Sequence, residues 1–268
     1  MVALTPHDRW FVPLFLAAVA LAWLALAAWS ASPYARYVQH DWTQLAVMAS
    51  LCASLPAGTA LAPALLYAGG WMLMTAAMML PTTLPLLVVF RRLVQRRARR
   101  SLLLGLLLAG YVVAWLGFGL AAHLAGLVLL QLVQRSAWLT FNGWLISAGV
   151  LLLAGLFQLS PLKERCLDAC RTPLGFVVAR WRGERPMLES LRLGLAHGAY
   201  CVGCCWPLML LLFAVGTGSV AWMLGLGAIM AIEKNSPVGR RMAAPLGIAL
   251  VGLAVGIATH GAWPQLLP

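Results

Sequence analysis

Long apolar runs separated by short basic segments dominate the chain. Apolar stretches occupy residues 11–31, 62–90, 102–131, 138–160, 192–213, 217–233 and 243–261, most of them at or above the roughly 20 residues a helix needs to cross a hydrocarbon layer. The sixth is the shortest and is rich in glycine. Residues 44–56 form a further apolar stretch, too short to span, that reads as interfacial or re-entrant. The opening run, at about 19 residues, exceeds the roughly 7–15 of a signal-peptide core, so it reads as an uncleaved anchor. The pattern predicts an all-α polytopic membrane bundle of about seven transmembrane helices, with residues 1–268 as a single transmembrane domain.

Composition makes this reading hard to avoid. Of the 268 residues, 62% are hydrophobic and only 10% charged, too few polar side chains to cover a water-soluble surface of this size. The net charge of +12 does not imply nucleic acid, because the basic residues fall in short clusters between the apolar runs. Six arginines lie within 91–100 and seven basic residues within 161–192; with Arg9, Lys234, Arg240 and Arg241, the seven-span arrangement puts 17 of 19 on one side. Basic loops stay inside, so the N-terminus is predicted inside and the C-terminus outside. Residues 161–191, interrupted by Pro173, Gly175, Gly183 and Pro186, read as a cytoplasmic interfacial segment of short helices. The 91–100 arginines read as a topology determinant. No long internal repeat, phosphate-binding loop or soluble catalytic triad is evident.

Chemistry concentrates in the fifth run. At about 100° per helical residue, His197, Cys201, Cys204 and Cys205 fall near 0°, 40°, 340° and 80°, on one face. An imidazole and three sulfurs within two turns can converge on one ion, and such groups in hydrocarbon mark function more often than packing. The second run contributes Met72, Met74, Met78 and Met79 just before Pro81. Methionine is usually core filler, but Met78 and Met79 lie at a depth comparable to Cys204 and Cys205. Met74 or Met78 is therefore expected within about 8 Å of a cysteine sulfur. Thiolate, thioether and imidazole together form a soft set that selects Cu(I); Zn is possible but has little use for methionine. Pro81 and Pro207 each loosen a helix beside these ligands.

Weaker candidates are Cys166 and Cys170, an i, i+4 pair beside basic residues that could serve as an entry or exit site for soft metal, together with Met209 and Glu233. Glu233 reads first as an ion pair with its neighbour Lys234 or a snorkelling anchor, and second as a proton or ion gate. His123 and His260 each stand alone and read as satisfied bundle histidines.

The stretches 71–81, Gly110 to Trp115, Pro161 to Lys163 with Cys166 and Cys170, His197 to Trp206, and Glu233-Lys234 resemble a family of bacterial integral membrane proteins described as predicted metal-binding and of unknown function. The resemblance runs from about 65 to 255 and implies metal binding and a bacterial inner-membrane location. Members carry a methionine and an asparagine in the turn before the sixth span, where this chain has Gly216-Thr217-Gly218-Ser219; a methionine ligand at that place would be missing here.

The leading expectation is a membrane protein that binds Cu(I) and acts in copper handling: uptake, export or delivery to a cuproenzyme. Its expected partners are the lipid bilayer and a copper protein or larger membrane complex, and a non-enzymatic role is favoured. The alternatives are a membrane thiol-disulfide oxidoreductase using Cys201, Cys204 and Cys205, and an accessory subunit of a larger membrane enzyme. On topology, reporter fusions should place Arg96 and Arg182 in the cytoplasm and Pro268 outside. An inside C-terminus would mean that the short sixth run or the 44–56 stretch crosses differently from the pattern assumed.

Overall fold

Proline, serine and glycine positions decide where the helices of this chain begin, bend and touch. The computed structural model describes residues 10–32, 61–215 and 219–260. Among them are eleven helices and no strand: α1 (Phe11–Ser30), α2 (Leu61–Met78), α3 (Leu84–Leu93), α4 (Arg100–Arg135), α5 (Ala137–Phe141), α6 (Trp144–Gln158), α7 (Pro161–Arg171), α8 (Pro173–Arg180), α9 (Pro186–Val215), α10 (Val220–Asn235) and α11 (Gly239–His260). The protein is all-helical over these residues, as the apolar pattern predicts.

Helices α7, α8 and α9 each start on a proline, whose missing N–H is harmless in a first turn. Ser160 and Ser219 cap α7 and α10 by accepting from the amides of Lys163 (3.2 Å) and Trp222 (3.4 Å). Ahead of α9, the Glu189 carboxylate accepts from the amides of Arg182 (2.9 Å), Gly183 (2.7 Å) and Arg185 (3.0 Å). Gly183 turns the chain there at φ 81°, a conformation open to glycine at little cost.

Two breaks shape the bundle. Pro81 cannot donate to the helix behind it, so α2 ends at Met78 and a 3₁₀ turn over Pro81–Thr83 leads into α3 at an angle of 49°. The chain bends again by 65° between α6 and α7. Among the described residues, helices α1, α4 and α11 and residues 186–212 of α9 are long and apolar enough to cross a membrane, and counting each bent pair as one crossing raises these four to as many as six. Helix α10, the counterpart of the predicted sixth span, has 16 residues and is not among them. The 44–56 stretch lies outside the described residues. Leu14, Leu21 and Leu24 of α1 and Leu120, Leu124 and Leu132 of α4 are exposed, the outer face a lipid-solvated bundle would present.

Helix α9 is central, packing on α4, α6, α7, α8 and α10. Its contact with α4 is set by small residues. A Cβ on Gly194 would overlap the Leu107 carbonyl, one on Gly110 the Leu191 carbonyl, and one on Gly198 would sit 2.6 Å from Ala114. The Gly110/Ala114 and Gly194/Gly198 pairs, four apart, are the small-xxx-small pattern that lets helix backbones meet. Gly155 and Gly247 do the same between α6 and α11. Helix α2 is fastened to α4 by Trp71 Nε1, which donates to the Trp115 carbonyl at 2.9 Å, and by Tyr67, whose hydroxyl donates to the Gly119 carbonyl at 2.9 Å. One apolar core gathers around α9 and α2; a second, with Leu87, Phe90, Leu107, Phe176 and Leu193, joins α3, α4, α8 and α9.

This packing makes a test. Gly194→Leu should separate α4 from α9 and sharply lower the thermal unfolding midpoint of the detergent-purified protein, or prevent its accumulation. Gly105→Ala, on an exposed position of α4 with nothing within 4 Å of the added methyl, should change stability by no more than about 0.5 kcal/mol, apart from a gain in helix propensity.

Candidate metal centre

The cysteines of α9 lie in the middle of the bundle. Cys201, Cys204 and Cys205 are each 1% exposed and, like Cys166 and Cys170, are free thiols. The helical turn brings Cys204 and Cys205 back onto the Cys201 carbonyl, to which their thiols donate at 3.1 and 2.9 Å. Side chains from four other segments meet them there.

The close crossing of α4 on α9 sets Tyr111, next to Gly110, against Cys201: Tyr111 Oη is 3.2 Å from Cys201 Sγ and also donates to the Met79 carbonyl at 3.2 Å. The bend at Pro81 turns the Met79 side chain inward, with Sδ 3.9 Å from Cys205 Sγ. From α10, Lys234 inserts its ammonium among the sulfurs, at 2.8 Å from Cys201 Sγ, 3.8 Å from Met79 Sδ and 3.9 Å from Cys205 Sγ. From α7, Cys170 packs against the core cluster that holds Cys204. Among the described residues no three His, Cys, Asp or Glu side chains stand in metal-holding geometry.

Beside the sulfurs lies a buried ionic cluster. Lys163 Nζ contacts both Glu233 carboxylate oxygens, at 2.7 and 2.8 Å, and donates to the Gln158 side-chain oxygen. The Gln158 amide donates to Glu233 at 2.7 Å, and the Arg171 guanidinium donates to the Glu233 carbonyl. Lys163, Glu233 and Gln158 are 1%, 2% and 3% exposed. Glu233 and Lys234 therefore do not pair with each other. About 100° apart on α10, they point to different partners: the carboxylate to α7, the ammonium to α9.

The structure thus sorts the residues singled out by sequence. Met79 makes a sulfur contact with Cys205 of α9; Met78 packs on Gly227 of α10, 3.6 Å from where a Cβ there would lie. Met74 and Met209 are buried in the surrounding core, and Met72 is half-buried outside it. The His197 ring sits between Tyr111 and Phe176, with centroids 6.0 and 5.4 Å away, and its buried Nδ1 has no hydrogen-bond partner among the described residues. His123 packs on Tyr67 at 4.4 Å. Tyr111, the sulfur-facing role of Lys234 and the Lys163–Gln158 pair escaped the sequence reading. The signals for them were the small-residue pairs beside Tyr111 and a lone glutamine closing an apolar run.

An all-helical protein with several membrane-length helices and a buried thiol–thioether cluster is the class these features define. A family described as copper chaperones (PpoB2) matches residues 68–257, and the chain belongs to that family. The match takes in the sulfur cluster, both bent helix pairs and the ionic cluster, and copper agrees with the soft character of the donors. No curated protein and no solved structure matches the chain.

The ionic cluster carries a stability prediction. Removing one charge leaves the other buried and unpaired, so Lys163→Leu or Glu233→Leu should each cost about 3–5 kcal/mol. The double variant should recover much of that loss. The measurement is thermal unfolding of the two single variants and the double variant in detergent.

Proposed function

We propose that this chain is an integral membrane protein that binds Cu(I) at Cys201, Cys204, Cys205 and Met79 and passes it on, in uptake, export or delivery to a cuproenzyme. The observation that carries this reading is the Lys234 ammonium, a single positive charge held among three sulfurs at 2.8–3.9 Å. A point that accommodates one monovalent cation among soft donors suits Cu(I) better than a divalent hard ion. The two cations exclude one another: unit charges about 4 Å apart repel by roughly 4 kcal/mol at an effective dielectric of about 20. Copper loading therefore moves Lys234 aside, and its return favours release, which a delivering protein requires.

His197, one turn before Cys201 and with a free buried nitrogen, is the nitrogen donor available to complete the site. Met74, Met78, Met209 and Glu233 support the walls of the site, and Met72 lies outside it. Zinc fits less well, because the methionine would then serve no purpose. Thiol-disulfide chemistry is disfavoured by the depth of the three cysteines, since exchange needs a reachable thiolate. The protein sits in a bacterial inner membrane with its N-terminus inside, exchanging copper with a copper protein or a larger membrane complex.

Purified reduced protein should bind about one Cu(I) per chain, measured by competition with a Cu(I)-specific chelator. Cys201→Ser should abolish binding, because an alcohol does not replace a thiolate for this ion. Met79→Leu should weaken it about tenfold while costing under about 1.5 kcal/mol in stability, and Met72→Leu should leave it unchanged. Full copper stoichiometry in Cys201→Ser would overturn the reading.

A further inference from the structure

The buried cluster has a set of sulfurs leading out of it. Cys170 of α7 packs against the buried core cluster that holds Cys204, itself 1% exposed. One turn earlier on the same face of α7 is Cys166, whose Sγ lies over Gly203, 2.9 Å from where a Cβ on that glycine would stand. Cys166 and Cys170 are both half-buried, whereas Cys201, Cys204 and Cys205 are closed off. Gly203 is also the residue four before Pro207, which has no N–H to offer its carbonyl. Alpha7 is thus held against α9 at the position where α9 lacks both a side chain and a helix hydrogen bond. The partly exposed sulfurs of α7 thus lie against the core that encloses the sulfurs of α9.

We propose that Cys166 and Cys170 are the exchange step through which Cu(I) enters and leaves the buried cluster, on the α7 face of the bundle. The proposal rests on the copper-binding reading above and adds a route to it. Copper arrives bound to a thiol carrier. The Cys166 sulfur forms a bond to the ion as the carrier sulfur breaks its own, and the proton released by Cys166 goes to the departing thiolate. The ion then passes by the same replacement to Cys170 and to Cys204, remaining Cu(I) throughout. At each stage the incoming sulfur is at hand before the outgoing one lets go, so the ion is never released bare into an apolar interior. The ammonium of Lys234 closes the inner end until the ion reaches Cys201.

The test uses the full chain in detergent, loaded from a Cu(I)–glutathione complex, with copper uptake followed in time and total bound copper measured at the end. Cys166→Ala/Cys170→Ala should bind the same final amount of Cu(I) as wild type but load at least tenfold more slowly, and release to a chelator should slow to match. Gly203→Ala, which keeps every sulfur but pushes Cys166 from its seat, should also slow loading and covers the case in which the double variant fails to fold. Wild-type rates in the folded variants overturn the route and leave the metal site standing. Reduced final stoichiometry in the double variant also overturns it, making Cys170 a permanent ligand. Absence of Cu(I) binding in wild type overturns the copper-binding reading and the route together.

Discussion

Contact between α4 and α9 is the constraint on which the rest of the arrangement depends. Gly110, Gly194 and Gly198 bring the two backbones so close that a single added methyl group would collide with a carbonyl or a neighbouring side chain. Where helices pack in an apolar solvent there is little hydrophobic drive between them, and close van der Waals approach at small residues supplies the attraction. Its local consequence is chemical. Tyr111, the neighbour of Gly110, is fixed with its hydroxyl between the Cys201 sulfur and the Met79 carbonyl, and it ties the broken end of α2 to the middle of α9.

Charge forms the second level of organisation. Two lysines and a glutamate are buried within one region, a costly placement unless each finds a partner. Lys163 and Glu233 neutralise one another, with Gln158 and Arg171 taking up the remaining polar atoms. That pairing withholds the carboxylate from Lys234, whose ammonium is left with sulfur partners alone among the described residues. The ionic cluster and the sulfur cluster are therefore coupled: the first anchors the end of α10, and the second receives the charge it leaves over. A site whose resident cation is a tethered side chain is suited to taking up and giving up a mobile cation of the same charge.

Helix breaks carry the geometry between these levels. A straight α2 would continue its methionines along its own axis; the loss of the Pro81 N–H turns Met79 into the bundle. The bend between α6 and α7 lays α7 against α9, with Cys166 seated over Gly203. Irregular backbone at such depth is tolerable because its polar groups are met by other parts of the protein, as the Met79 carbonyl is met by Tyr111.

The helical class, the membrane-length apolar runs and the common face of Cys201, Cys204 and Cys205 with His197 were legible in the sequence, because each depends on composition or on the 3.6-residue period of a single helix. Softness of the donor set was legible for the same reason, since it belongs to the residue types. The contact of Met79 Sδ with Cys205 was not, because it depends on the angle of the Pro81 bend, nor was the packing of Met78 on Gly227, which depends on where α10 lies. Nor could the pairing of Glu233 be read from its neighbour, because adjacent residues on a helix point about 100° apart and the choice between Lys234 and Lys163 is made by another helix 70 residues away in the chain. The sequence by itself determined the elements and the chemistry they carry; the tertiary structure decided which groups meet, because that depends on close approach and charge compensation between segments distant along the chain.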